Sequence, residues 1–255
     1  MNNSISIRKW FSKAWETYKE GFGLLILSSI IIQAISMLFV IGMNFQSNKL
    51  FLVEIGAINP ANLILTFLLI VLVYFAILPP ITAGYNYLVL KLVRKKDTKI
   101  KDLFKGFSQF GGVWLTFYIT AVVIMGGYVL LIIPGIIWTI KYSFSLFFVV
   151  DKECTVEDAI SYSAKITKGH KGKLFLIGLI IAVIIFSISF FRNNIYSFSS
   201  LIDILYWILN VLFIGHYLIS LHANIYESLK ENHFDNSSKY DYKEASVDEN
   251  LNVRM

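Results

Sequence analysis

Six blocks of predominantly apolar residues, most of them close to 20 residues long, dominate the sequence: 22–43, 63–90, 113–133, 136–150, 174–191 and 201–226. A hydrocarbon core about 30 Å thick takes about 20 residues of α-helix to cross. Backbone groups facing lipid find no water to bond, so each block has to close its own hydrogen bonds as a helix. The blocks lack the short alternation of barrel strands. The expected fold class is therefore all-α, a polytopic membrane protein with six transmembrane helices. Composition agrees. Of 255 residues, 56% are hydrophobic and 16% charged, where a soluble domain carries about a quarter charged. The first block follows a basic segment, but it is too long for the apolar region of a signal peptide and no small-x-small cleavage site follows. It is expected to remain as the first span.

Lysine and arginine fall unevenly between the blocks. Arg8, Lys9, Lys13 and Lys19 precede the first; the second loop carries seven cations from Lys91 to Lys105; the fourth carries five from Lys152 to Lys173; the tail carries four. The first and fifth loops have only Lys49 and Arg192, and the third has none. Twenty cations against two place both termini in the cytoplasm and the chain in the cell membrane. A net charge of +6 would raise nucleic acid as a partner of a soluble protein. Beside apolar spans it indicates topology and anionic headgroups, so no nucleic-acid partner is expected. The single cysteine, Cys154, excludes an internal disulfide and any CxxC metal or redox site.

Local signals refine the outline. The fourth block has 15 residues, roughly 22 Å of helix, and forms a hairpin with the third whose turn is expected at Pro134-Gly135. The Pro79-Pro80 pair predicts a kink or an early helix end. Amphipathic stretches lead into the odd-numbered blocks: Trp10, Phe11, Ala14, Trp15, Tyr18 and Phe22; Leu103, Phe104, Phe107 and Phe110; and Ala159, Ile160, Ser163 and Ile166. These are expected to be cytoplasmic interfacial helices, the last opening with a capping box from Thr155 to Asp158. Residues 1–226 form the expected membrane domain, and the polar residues 227–255 an expected disordered cytoplasmic tail.

Pro134-Gly135, Tyr142-Ser143, Asp151, Ala159 with Ser163, and Lys168-Gly169-His170 lie within some 45 residues. That run resembles a bacterial integral-membrane family of unknown function related to the membrane domain of glycerophosphodiester phosphodiesterases, and Ala223 and Tyr226 look like the family's last helix. The resemblance implies a similar membrane fold. The phosphodiesterase activity is not implied, because only a short polar tail follows the last block.

Candidate sites are few. Lys141 is the one basic residue within a block, and Asp203 enters the last block from the same outer side; the two are expected to pair, or Lys141 to snorkel outward. Asp203, Tyr206, Asn210, Tyr217, Ser220 and Asn224 recur at helical spacing, a stripe suited to interhelical hydrogen bonds or to a polar pathway. Arg94, Lys95, Lys96, Lys168, Lys171 and Lys173 are candidate contacts for anionic lipid. No H-E-x-x-H, G-x-S-x-G, P-loop or dinucleotide fingerprint occurs, so neither a catalytic residue nor a metal or cofactor is expected. The expected role is a non-enzymatic structural or accessory membrane protein, acting through lipids, a membrane-protein partner or its own copies. A small-solute or lipid transporter is the alternative.

Overall fold

A computed structural model describes residues 6–54, 60–194 and 213–252. Among them the chain forms eight α-helices: α1 Ile7–Glu54, α2 Pro60–Val93, α3 Phe110–Leu130, α4 Ile132–Tyr142, α5 Ser145–Lys152, α6 Val156–Thr167, α7 Lys171–Asn194 and α8 Gly215–Asn252. A 3-10 segment, Ile100–Gln109, precedes α3. Among the described residues, four stretches are long and apolar enough to cross a membrane: Ile7–Val40, Ile64–Val93, Ile100–Leu130 and Ile132–Lys152. The α6–α7 pair makes a fifth if its 92° bend lies within one span. The count of six is thus reached only to four or five. The first part of the sixth block, residues 201–212, lies outside the described residues.

The fourth block departs from one unbroken helix. Ser143 and Phe144 interrupt it between α4 and α5. The hairpin turn also moves. Leu131, with extended backbone, breaks the chain between α3 and α4, and Pro134 and Gly135 lie inside the first turn of α4. Proline is tolerated there because first-turn N–H groups have no helical acceptor. Gly135 serves packing instead of turning: a Cβ on Gly127 of α3 would come within 2.9 Å of the Gly135 Cα.

The amphipathic stretches take three different forms. The first is the opening of α1 itself, with Trp10, Ala14 and Tyr18 buried at four-residue spacing. The second is not α-helical. In a 3-10 helix residues three apart eclipse, so Leu103 and Gly106 form one buried ridge while Phe104, Phe107 and Phe110 form another that is exposed. The third is the separate helix α6, where the Thr155 hydroxyl accepts from the Asp158 N–H at 3.2 Å, the expected N-terminal cap. Gly169, with φ +83°, supplies the backbone conformation that starts the bend into α7.

The 3-10 run has ten residues, where such runs seldom exceed four. It is held by contact with α2. Cβ atoms at Gly84 and Gly106 would run into the backbone of Leu103 and Pro80 respectively, so the two segments touch main chain to main chain. Asp102 ties down one end, accepting from Lys91 Nζ at 2.6 Å and from the Lys99 N–H at 2.8 Å.

α2 does not end at its prolines; it runs through Pro79 and Pro80. Pro79 has no N–H, so the Phe75 carbonyl four residues earlier loses its helical donor. The Tyr118 hydroxyl of α3 donates to that carbonyl at 2.7 Å, its ring stacked on Phe75. Tyr118→Phe keeps the ring and removes the donor. It is expected to cost about 1 kcal/mol in detergent unfolding; an unchanged midpoint would remove this bond from the account of the double proline.

Burial is graded along the bundle. The packed core joins Trp10, Ala14, Tyr18 and Leu25 of α1, Leu88 to Leu90 of α2, Phe147 to Val150 of α5, and Leu221, Tyr226 and Leu229 of α8. Towards the other end, apolar side chains such as Leu72, Val122 and Phe186 stand exposed, and Val129 reaches 85%.

Candidate functional site

Asp151 stands in the last turn of α5, one turn after the buried Phe147 and Phe148. The Tyr226 ring of α8 stacks on Phe147 and meets Phe148 edge-on. This apolar contact brings the Tyr226 hydroxyl to Asp151 Oδ2, to which it donates at 2.8 Å. One turn further along α8, Lys230 Nζ donates to the same oxygen at 2.8 Å. Arg94, just past α2, completes the set as a bidentate fork on Asp151, at 2.5 and 2.9 Å. Its Nη2 also meets Glu227 Oε2 at 2.7 Å, and Lys230 lies 3.7 Å from that carboxylate.

Two cations thus face two carboxylates, linking α2, α5 and α8. The Asp151 side chain is only 5% exposed. Forked arginine–carboxylate pairing fixes geometry as well as charge. Burial alone would lower the Arg94 pKa, but the hydrogen bonds to Asp151 and Glu227 outweigh it and hold it raised. Chemically the cluster is a closed clamp, with every charge matched.

Beside it, α1 joins α8 through the polar stripe. Asn224 Nδ2 donates to Thr17 Oγ1 at 3.1 Å and to the Ser220 carbonyl at 2.8 Å. The Tyr217 hydroxyl donates to the Phe11 carbonyl at 3.3 Å. On the α2 side, Tyr85 Oη and His216 Nδ1 lie 2.5 Å apart. Within the described part of the stripe Tyr217 and Asn224 make interhelical hydrogen bonds, while the buried Ser220 hydroxyl has no partner among the described residues; Asp203, Tyr206 and Asn210 lie outside the described residues.

Other sequence expectations need revision or stay open. Arg94 does not offer its charge to lipid, because both carboxylates claim it. Lys95 meets Glu20 at 3.3 Å in an exposed pair, 73% and 54% accessible, of a kind worth at most about 1 kcal/mol. Lys96, Lys168, Lys171 and Lys173 are exposed. The Lys141 ammonium lies 4.8 Å from the Tyr142 ring centroid; its expected partner Asp203 is outside the described residues. The domain boundary at residue 226 moves. α8 continues through Asn252, and Glu227, Leu229 and Lys230 belong to the packed region.

Glu227 and Lys230 are the residues that sequence reasoning missed. Their signal was present: Tyr226, Leu229 and Lys230 continue the helical period of the last apolar block. Among the described residues, no group of three or more His, Cys, Asp or Glu side chains could hold a metal ion. Comparison with known proteins brings nothing further: no family model, curated protein or solved structure matches the chain.

Proposed function

We propose that the protein is a non-enzymatic, multi-pass component of the cell membrane, with six spans and both termini in the cytoplasm. It acts as a structural or accessory element through contacts with lipids or membrane-protein partners. The supporting observation is the clamp: the strongest polar cluster among the described residues saturates itself and braces three helices. The exposed apolar faces of α2, α3 and α7 offer surface to lipid or to another membrane protein. The twenty-to-two distribution of cations supports the orientation, and the right-angled α6 suits a helix lying in the interface. The resemblance to the membrane domain of glycerophosphodiester phosphodiesterases is consistent with this role.

A transporter for a small solute or lipid is the second reading. It is favoured by an apolar groove of about 470 Å³ between α4, α7 and α8.

Two measurements test the proposal. Reporter fusions at Ser47 and Asn194 should report the outside and fusions at both termini the cytoplasm; the reverse at either loop overturns the topology. Crosslinking and capture of the full chain from native membranes should recover a reproducible set of membrane partners. Solute flux into proteoliposomes that collapses with Tyr217→Phe and Asn224→Leu would replace the accessory role with transport.

A further inference from the structure

The groove between α4, α7 and α8 is lined chiefly by aliphatic side chains, among them Ile140, Ile177, Ile181 and Leu218. Two features set it apart from a plain gap between helices. Gly178 lies in its wall, and a Cβ there would meet nothing within 4 Å, so the wall is recessed where a side chain would otherwise project. His222 also faces it. The imidazole lies against the Phe144 and Phe147 rings, centroids 4.6 and 5.2 Å away, and has no hydrogen bond among the described residues. A polar group in an apolar setting needs a partner, and leaving it without one is costly.

Charge is placed at one end. Leu174 lines the groove, and Lys171 lies one turn before it on α7, with Lys168 in the link from α6; both lysines are exposed. Burial and the neighbouring Lys173 lower the His170 pKa, so the cations at this corner are the lysines.

We infer that this groove holds one acyl chain of an anionic phospholipid from the cytoplasmic leaflet, with Lys168 and Lys171 at the headgroup and His222 facing the ester region. The assignment rests on the membrane orientation proposed above and names the lipid class for that role. An aliphatic channel takes the chain, the imidazole supplies the hydrogen bond that an ester carbonyl can accept, and the lysines complement the phosphate.

The test uses the full chain in detergent, titrated with phosphatidylglycerol or phosphatidylcholine of identical chains and read by native mass spectrometry. One phosphatidylglycerol per chain should be retained, at least ten-fold more tightly than phosphatidylcholine. Gly178→Trp fills the recess and should weaken retention ten-fold or more with an unchanged melting temperature. The double variant Lys168→Gln, Lys171→Gln should erase most of the headgroup preference, up to roughly thirty-fold at about 1 kcal/mol per cation. His222→Phe, which keeps the ring stack, should weaken retention several-fold and serves if the tryptophan variant does not fold. Equal retention of the two lipids overturns the inference. So does a folded Gly178→Trp protein that binds like the wild type, competition by free oleate as strong as by phosphatidylglycerol, or a cysteine at position 178 that crosslinks to residues 195–212 instead of lipid. Failure here leaves partner capture untouched, because that measurement does not use the groove, and absence of partners leaves the lipid titration to stand by itself.

Discussion

Replacing Asp151 with alanine is expected to destabilise the protein by about 3 kcal/mol, the scale for removing one partner of a buried ion pair. Arg94 and Lys230 would then share the single carboxylate of Glu227, with Arg94 and Lys230 only 18% and 13% exposed. Tyr226 would lose the acceptor of its buried hydroxyl. The cost arises mainly from the charges left behind. A double replacement of Arg94 with Met and Asp151 with Leu should therefore cost less than the sum of the single changes. Glu20→Ala supplies the contrast, because its pair with Lys95 is exposed, and it should move the unfolding midpoint by less than about 1 kcal/mol. Detergent or SDS unfolding followed by tryptophan fluorescence measures each of these variants. An Asp151→Ala protein as stable as Glu20→Ala would show that the clamp contributes no stability.

The second large effect concerns a single methyl group. Ala is the better helix former by about 1 kcal/mol, so Gly84→Ala judged on propensity alone should stabilise α2. The structure demands the opposite sign. The added Cβ would land on the Leu103 carbonyl, backbone that no side-chain rotation can clear. Either α2 shifts or the 3-10 segment lifts away, for a net loss of about 3 kcal/mol, the upper part of the range for overpacking. Gly23→Ala is the control. Its Cβ would meet nothing within 4 Å, so the propensity gain should survive and stability should stay level or rise. A thiol probe at position 103 separates the two ways of failing: it should become reactive in the Gly84→Ala background if the segment detaches. Equal stability of the two glycine variants would dispose of the close contact between these backbones.

Features carried by nearby residues were legible in the sequence. Apolar blocks long enough to span a bilayer, the Thr155 cap and the interhelical roles of Tyr217 and Asn224 all follow from spacing along one helix. Features that join remote segments were not. Arg94, Lys95 and Lys96 look alike in a list of cytoplasmic cations, and only the packing of α5 against α8 singles out Arg94 by presenting Asp151 to it. Likewise the facing of Gly84 with Leu103, and of Gly106 with Pro80, joins a helix to a segment beyond a turn, which no periodicity encodes. The misplaced hairpin turn has a simpler origin: proline suits both a turn and the first turn of a helix, and here Leu131 makes the break.

The graded burial of the bundle implies that its two ends depend on their surroundings to different degrees. One end is held by its own contacts and should survive extraction, whereas the exposed apolar ends of α2, α3 and α7 need an apolar surrounding to cover them. In micelles, backbone amides near Phe147 and Tyr226 should exchange slowly while those around Val122 and Phe186 exchange early, and restoring a bilayer should slow the second group far more than the first. That outcome would make the bilayer a wall of the fold, supplied from outside and only at one end.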